Sequence, residues 1–277
     1  MIKISLILAT INRKAELIRF ISSLEKQSVP LEIIELIIVD QNEIGYLDDI
    51  IPTSSKIKIL HIHSKIKGLS YNRNLGMKYV SGEIVCFPDD DCCYNSNTIE
   101  EVLDIFNKTN VKFVGGRIVD LYNNIPIFKK WPKYKIKFKL TNFYFISSSI
   151  TIFIKNDFLL KFDEQLGVGT DKGSCEDVDL IYRMLNSKYT GLYSPEIVVR
   201  HPAPNFDKIE NLKVYKYASG FGGFVSKNRS FYLYTLFGVL IIYKFFQFIQ
   251  NKFASKKKFN DGYFKHYFNG LKAGFFD

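Results

Sequence analysis

EIVCFPDDD, Glu83 to Asp91, joins an apolar, β-rich run to three consecutive carboxylates. The run reads as a buried strand, and the acidic triplet stands where that strand ends. Upstream, Tyr71, Leu75 and Tyr79 mark the stripe of a helix, with Gly76 small enough for close packing. Strand patterns precede it at Ile57–Ile62, Ile33–Val39 and Ile2–Ala9, and a helix with the stripe Leu17, Phe20, Ile21 and Leu24 separates the last two. Downstream, Ile99, Val102, Leu103 and Phe106 predict a helix and Val111–Val114 a strand, after which the pattern loosens at Gly116. Strand character returns at Ile150–Ile154. A helix follows with the stripe Val178, Ile181, Tyr182 and Leu185, and a last strand, Gly191–Val199, leads to His201-Pro202. Repeated βα units predict an α/β fold with a mostly parallel sheet covered on both faces. Ligands of such sheets sit beyond the carboxyl ends of the strands. Asp40, closing the second strand, and Asp89–Asp91, closing the fourth, both fall there.

The 277 residues are 47% hydrophobic and 24% charged, which excludes disordered, collagenous and low-complexity chains. Cysteines at 86, 92, 93 and 175 lack the paired spacing of a zinc site and are too sparse for a disulfide framework, so a reducing compartment is expected. The apolar start, Ile4 to Ile11, is too short for a signal segment and runs into Asn12-Arg13-Lys14, so it is expected to be a buried first strand of a cytosolic chain. The net charge of +10 is uneven: residues 201–277 hold 12 Lys/Arg against 4 Asp/Glu, and 21 of the 43 aromatics. A basic, aromatic tail suits nucleic acid or an anionic membrane surface.

The triplet admits two readings. Adjacent carboxylates at a strand end need compensation, which a hard divalent cation with oxygen ligands supplies. A solvated acidic turn before a helix capped by Asn95–Asn97 is the other. A haloacid-type phosphatase would want Thr or Val where Cys93 stands. GSCEDVDL, Gly173 to Leu180, likewise reads either as a carboxylate general base at a helix N-terminus or as a capping box of Ser174 and Asp177. His61, His63 and His266 show no partner in the sequence, and His61-x-His63 reads as structural. A GxGxxG fingerprint, a P-loop and a GxSxG elbow are all absent.

Five ordered motifs then carry a resemblance over about residues 1–205. They are SLILATINR, IIVDQN, KGLSYNRNLGMKYVSGEIVCFPDDD, GVGTDKGSCEDVDLIYRML and a closing HP. The chain resembles the family 2 glycosyltransferases of bacterial capsule and O-antigen synthesis, which have the GT-A fold. The resemblance implies a Rossmann-like, mostly parallel mixed sheet flanked by helices. It implies a nucleotide-binding half at 1–118 and an acceptor-binding half at 119–205, while the composition of residues 206–277 points to a basic, aromatic helical tail. Thr10, Asn12, Arg13, Asp40, Lys67, Arg73, Asp89 and Asp90 would bind the nucleotide-sugar, with Asp40 at the base and Asp89 near the ribose. Asp91, Asp89 and His201 would hold Mn²⁺ or Mg²⁺. Asp177 would be the catalytic base with Glu176 beside it, and Gly167, Gly169, Gly173 and Trp131 would shape the acceptor loop. Gln41 departs from the acidic, Asn or Gly residue often found there, which bears on base preference.

The implied activity is inverting, metal-dependent transfer of a single sugar, a UDP-sugar being favoured, to a polyprenyl diphosphate-linked saccharide. QxxRW and multiple spans, marks of processive relatives, are missing. A sugar nucleotidyltransferase would carry a glycine-rich phosphate loop where ATINRKAEL stands, and a non-catalytic membrane scaffold would have lost some of Asp91, Asp177 and His201. In the tail, Phe231–Tyr243 is apolar before Lys244 interrupts, short for a span. With flanking Lys252 and Lys256–Lys258, residues 231–258 are expected to lie in the membrane interface, with core packing and a re-entrant or true span as alternatives. The tail is too apolar for nucleic acid. The lysines between 129 and 139 read as a solvated ribbon that could still attract a lipid diphosphate. The expected location is the cytoplasmic face of a bacterial inner membrane.

Overall fold

The computed structural model describes residues 1–157, 161–205, 208–254, 259–260 and 262–276. They form two compact units, Met1–Phe162 with Leu180–Ala203, and Asp163–Asp179 with Pro204–Asp277. The first unit ends at Ala203, and residues 163–179 group with the tail.

In the first unit the chain runs β1 (Ile4–Thr10), α1 (Lys14–Leu24), β2 (Ile34–Asp40), β3 (Lys58–His63), α2 (Leu69–Met77), β4 (Ile84–Cys86), β5 (Cys93–Tyr94) and α3 (Thr98–Lys108). It continues with β6 (Phe113–Asp120), β7 (Ile136–Lys137), α4 (Phe143–Ile146), β8 (Ile152–Lys155), α5 (Glu176–Asn186), whose first turn belongs to the other unit, and β9 (Gly191–His201). The sheet order is β3-β2-β1-β4-β8-β6-β9-β5, with β7 also on β9. β1 to β4 are mutually parallel; β8 is antiparallel to both β4 and β6, and β9 is parallel to β6. Two reversals cancel, so β9 ends on the same side of the sheet as β1, β2 and β4. That parity brings His201 to the edge where the acidic triplet lies.

The amphipathic readings hold where the helices are covered by apolar partners. Leu17, Phe20, Ile21 and Leu24 of α1 are all buried, as are Ile99, Val102 and Phe106 of α3, where Ile105 rather than Leu103 completes the face. α2 differs. Its buried residues are Ser70, Asn72, Arg73 and Gly76, while Tyr71 and Leu75 are half-buried and Tyr79 is exposed beyond the helix end. A Cβ on Gly76 would stand 2.4 Å from Ile7 Cγ2, so backbone rather than a large side chain meets the sheet. The expected strand at Val111–Val114 also continues to Asp120, through Gly115 and Gly116. Those glycines are packing necessities, since a Cβ on Gly116 would stand 2.4 Å from the Ile197 carbonyl oxygen.

Glu35 is a buried carboxylate that ties three other chain segments to β2 through four hydrogen bonds. It accepts from Ser5 Oγ at 2.6 Å, Lys58 Nζ at 2.5 Å, Ser81 Oγ at 2.7 Å and Ser81 N at 3.0 Å. Burial alone would raise its pKa; the donors outweigh burial and hold it below the usual carboxylate value.

In the second unit, α6 (Asn211–Asn228), α7 (Phe231–Phe253) and α8 (Tyr263–Phe276) follow one another. α6 and α8 pack backbone to backbone. A Cβ on Gly274 would stand 1.9 Å from the Ser219 carbonyl oxygen, and one on Gly270 2.1 Å from that of Tyr215. α7 is 23 residues, long and apolar enough to cross a membrane, with only Leu233 and Leu236 buried. The core-helix reading of this segment is therefore replaced by an exposed apolar helix. Lys244, expected to interrupt it, is caged: Nζ donates to Tyr263 Oη at 3.0 Å and lies 5.0–5.5 Å from the ring centres of Phe259, Tyr263 and Tyr267. Lys256–Lys258 lie outside the described residues.

Replacing Glu35 by Gln is expected to lower stability by about 3 kcal/mol at neutral pH, because a charge-assisted hub becomes a neutral one. Since the native pKa is depressed, the carboxylate's contribution is full above about pH 4.3 and fades as pH falls through the native value. Denaturant melts of both proteins from pH 7 to pH 3 should show the difference shrinking on acidification.

Candidate active site

Each carboxylate of the triplet has a partner from a different element. Asp89 Oδ1 accepts from the buried Arg73 of α2 at 3.0 Å, and Asp90 Oδ2 accepts from Thr10 Oγ1 at the end of β1 at 2.7 Å. Asp91 faces His201 Nε2 at 3.1 Å and Arg13 at 3.4 Å. Burial is the largest influence on Asp90 and lifts its pKa to about 6 despite the Thr10 hydrogen bond. Burial would do the same to Asp91, but the hydrogen bond and charge of His201 hold it below the ordinary value. The same contact raises His201 against its own burial.

The turn that presents the triplet is closed locally. Cys92 donates Sγ to the Asp89 carbonyl at 2.9 Å, and β5 pairs antiparallel with the end of β9, Cys93 opposite Arg200. This short pairing sets Asp91 beside His201. Asn97, expected to cap α3, makes no side-chain cap. Gln27 Oε1 accepts from Ile99 N at 3.1 Å instead.

At the end of β2, buried Asp40 receives Asn42 N and Nδ2 on Oδ1, at 2.8 and 2.6 Å. Its Oδ2 meets His61 Nε2 at 3.0 Å and His63 Nδ1 at 3.7 Å. The two histidines, without a partner in the sequence, thus acquire one through the β2–β3 register, which places His63 opposite Asp40. Asn12 has a positive φ of 57° and donates its amide to Asn42 Oδ1 at 2.7 Å. Gln41 accepts from Gly68 N at 2.9 Å, joining this edge to the start of α2, and Lys67 beside it is exposed. Trp131, expected at the acceptor loop, is buried. Its ring stacks on Tyr193 and its indole N–H is donated to the Ile127 carbonyl at 2.8 Å. Lys129 is half-buried over the Trp131 and Tyr144 rings, whereas Lys130, Lys133, Lys135, Lys137 and Lys139 are exposed as the ribbon reading expects.

The second unit holds the other implied residues. Gly167 and Gly169 adopt φ of 102° and 99°, a left-handed backbone that favours glycine. Gly167 N donates to the Lys172 carbonyl, and Gly173 N to that of Lys216, each at 2.9 Å. Ser174 forms no capping box with Asp177: its Oγ donates to the Tyr217 carbonyl at 2.7 Å. Cys175, at φ 69°, turns the chain into α5, where Glu176 is buried and half-buried Asp177 accepts from Val178 N at 2.8 Å. Buried Asp179 is held by Lys227 at 3.0 Å and Asn228 at 3.1 Å, and Lys227 also binds Asp163 at 2.6 Å. That α6 fastens both ends of this segment has no signal in the sequence, because Lys227 is distant in the chain from Asp163 and Asp179.

Residues 5–166 match the family model described as Glycosyl transferase family 2. The chain belongs to that family. A "Glucosyl-dolichyl phosphate glucuronosyltransferase" of Haloferax volcanii is 31% identical over 100 residues, 32% of this chain and 29% of that protein. Among solved structures, S. aureus TarS 1-349 with UDP-GlcNAc aligns at TM-score 0.63 and 18% identity, over 81% of this chain and 66% of that one. The mannosyltransferase PcManGT from Pyrobaculum calidifontis, in complex with GDP-Man and Mn²⁺, aligns at TM-score 0.61 and 13% identity, over 82% and 64%. This family 2 chain thus spans less than a third of the curated relative it matches and about two thirds of these structures. At such identities the structures establish the GT-A-like fold, with its helices around a central mixed sheet.

The residues present suit a divalent cation. Asp89, Asp91 and His201 offer ligand atoms within 4.8 Å of one another, a carboxylate and imidazole set acceptable to Mn²⁺ or Mg²⁺. His201 Nδ1 lies 2.7 Å from the Pro202 carbonyl oxygen, which fixes the ring with Nε2 toward Asp91.

Lys227→Ala should lower stability by about 2 kcal/mol, since buried Asp179 loses a charged partner. Hydrogen exchange of residues 163–175 should quicken while the sheet amides of β1 and β2 keep their protection.

Proposed function

We propose that this family 2 protein is an inverting, metal-dependent glycosyltransferase. It transfers a single sugar from a nucleotide-sugar, preferably a UDP-sugar, to a polyprenyl diphosphate-linked saccharide in capsule- or O-antigen-type surface polysaccharide synthesis. The observation that carries the reading is the convergence of Asp89, Asp91 and His201 at the carboxyl edge of the sheet that also holds Thr10, Asp40 and Arg73. The nucleotide-sugars named for TarS and PcManGT support a nucleotide-sugar donor, and the glucosyl-dolichyl phosphate named for the Haloferax relative supports a lipid-linked acceptor.

Asp89, Asp91 and His201 would hold the cation, which when bound supplies positive charge against the leaving diphosphate. Thr10, Asn12, Arg13, Asp40, Lys67, Arg73 and Asp90 would line the donor pocket. The carboxylate of Asp177 would take the proton of the acceptor hydroxyl as it attacks the anomeric carbon, with Glu176 assisting acceptor placement. Attack opposite the leaving diphosphate inverts that carbon. The loop of Gly167, Gly169 and Gly173 would lie against sugar and acceptor.

Calorimetry with UDP, GDP, CDP and dTDP, each with and without Mn²⁺, is expected to show metal-dependent binding of one nucleotide, abolished in Asp91→Ala. Asp177→Asn should keep that binding and lower turnover by about 10³-fold. If no nucleotide binds with metal present, the catalytic reading fails and a membrane scaffold takes its place.

The exposed apolar face of α7 would attach the protein to the cytoplasmic face of a bacterial plasma membrane. The Lys244 cage supports this, because it holds the one charge inside the apolar stretch against aromatic rings of the same unit. Flotation with vesicles containing anionic lipid should carry the wild type upward and leave an Ile242→Asp/Phe246→Asp variant, altered at two exposed positions, in the dense fraction.

A further inference from the structure

Phe128 occupies an unfavourable backbone conformation beside the candidate metal cluster. Its φ is +65°, and Lys129 N donates to the Ile127 carbonyl at 2.8 Å across it. A bond from i+2 to i around a positive φ is the rare, strained kind of γ-turn. Bulky side chains seldom adopt it, and such strain persists only where the surroundings over-determine it.

Here they do. The segment leaves β6 at Asp120, paired with His201 itself, and Leu121 N donates to the His201 carbonyl at 3.0 Å. Ile127 N returns to the Ile118 carbonyl at 3.2 Å, while Trp131 ties back to Ile127 and Lys129 donates to the Tyr144 and Ser147 carbonyls. The outcome is one defined placement: the Phe128 ring lies 5.2 Å from the His201 ring at 69°, yet 51% of the residue remains exposed. A phenyl ring held in strain and left half in water does little for the core.

We propose that Phe128 is a platform for the apolar face of a pyranose ring at the Asp89–Asp91–His201 cluster. The proposal rests on the glycosyltransferase reading and adds a sugar contact to it. The C–H bonds on one face of a pyranose carry partial positive charge and complement the negative face of an aromatic ring. The ring stands one contact away from a cluster member, within reach of the sugar joined to a metal-bound diphosphate or of the sugar that attacks it. Trp131 cannot serve, because its ring is buried on Tyr193 and acts instead as the loop's anchor.

The test titrates wild type, Phe128→Ala and Phe128→Gly, with Mn²⁺, against UDP and GDP, against UDP-Glc, UDP-GlcNAc and GDP-Man, and against octyl glucoside and octyl N-acetylglucosaminide. Both variants should bind the free nucleotide as wild type does. They should lose about five-fold in affinity for the matching nucleotide-sugar if the platform serves the donor, or for an octyl glycoside if it serves the acceptor. Phe128→Gly, relieving the positive φ, should also melt about 2 °C higher, the opposite of what a packing role gives. Unchanged affinity for every sugar, or equal losses for nucleotide and nucleotide-sugar, overturns the proposal. Failure of wild type to bind any nucleotide overturns the glycosyltransferase reading and this inference with it.

Discussion

Like charges held on adjacent residues govern the architecture around Asp89, Asp90 and Asp91. Two carboxylates about 4 Å apart repel by about 1 kcal/mol in water and about 4 kcal/mol at the effective dielectric of a protein surface. The fold distributes the load over separate elements. α2 brings Arg73 to Asp89, β1 ends with Thr10 on Asp90, and the ends of β9 and β1 bring His201 and Arg13 to Asp91. Each partner depends on the sheet order, so the triplet and the topology support each other. A divalent cation at Asp89, Asp91 and His201 fits the same logic, since it adds positive charge at the same carboxylates.

The sheet edge is built from pairing more than from large side chains. β5 comprises Cys93 and Tyr94, yet its bonds to β9 fix the triplet's distance from His201. The Asp120–His201 pairing similarly launches the loop that ends in Phe128. Two features that look local in the chain, a strained γ-turn and an acidic turn, are therefore held in one frame by opposite sides of β9.

In the second unit, glycine has the part that leucine has in most helix pairs. Gly270 and Gly274 let α8 approach the α6 backbone, and Gly220 leaves room for the Ser174 carbonyl. α7 leaves most of its aromatic and aliphatic side chains exposed or half-buried, with Leu233 and Leu236 inward, and the tyrosines of α8 line Lys244 Nζ.

The alternation of strands and helices, the faces of α1 and α3, and the placing of Asp40 and the triplet beyond strand ends were all legible in the sequence. They follow from periodicity and strand order, which are local properties of the chain. The partnership of Asp91 with His201 was expected from a family resemblance, not from spacing, because 110 residues separate them. The inward face of α2 was misread because its burial is driven by an ion pair and a glycine contact, which leave no apolar stripe. The burial of Trp131 on Tyr193 was not legible either, because composition cannot tell a ring that anchors a loop from one displayed by it. His61 and His63 at Asp40, the Lys244 cage and the clamp of Lys227 on residues 163 and 179 needed the tertiary structure. Each joins groups far apart in the chain, and only strand register and helix packing decide which distant side chains meet.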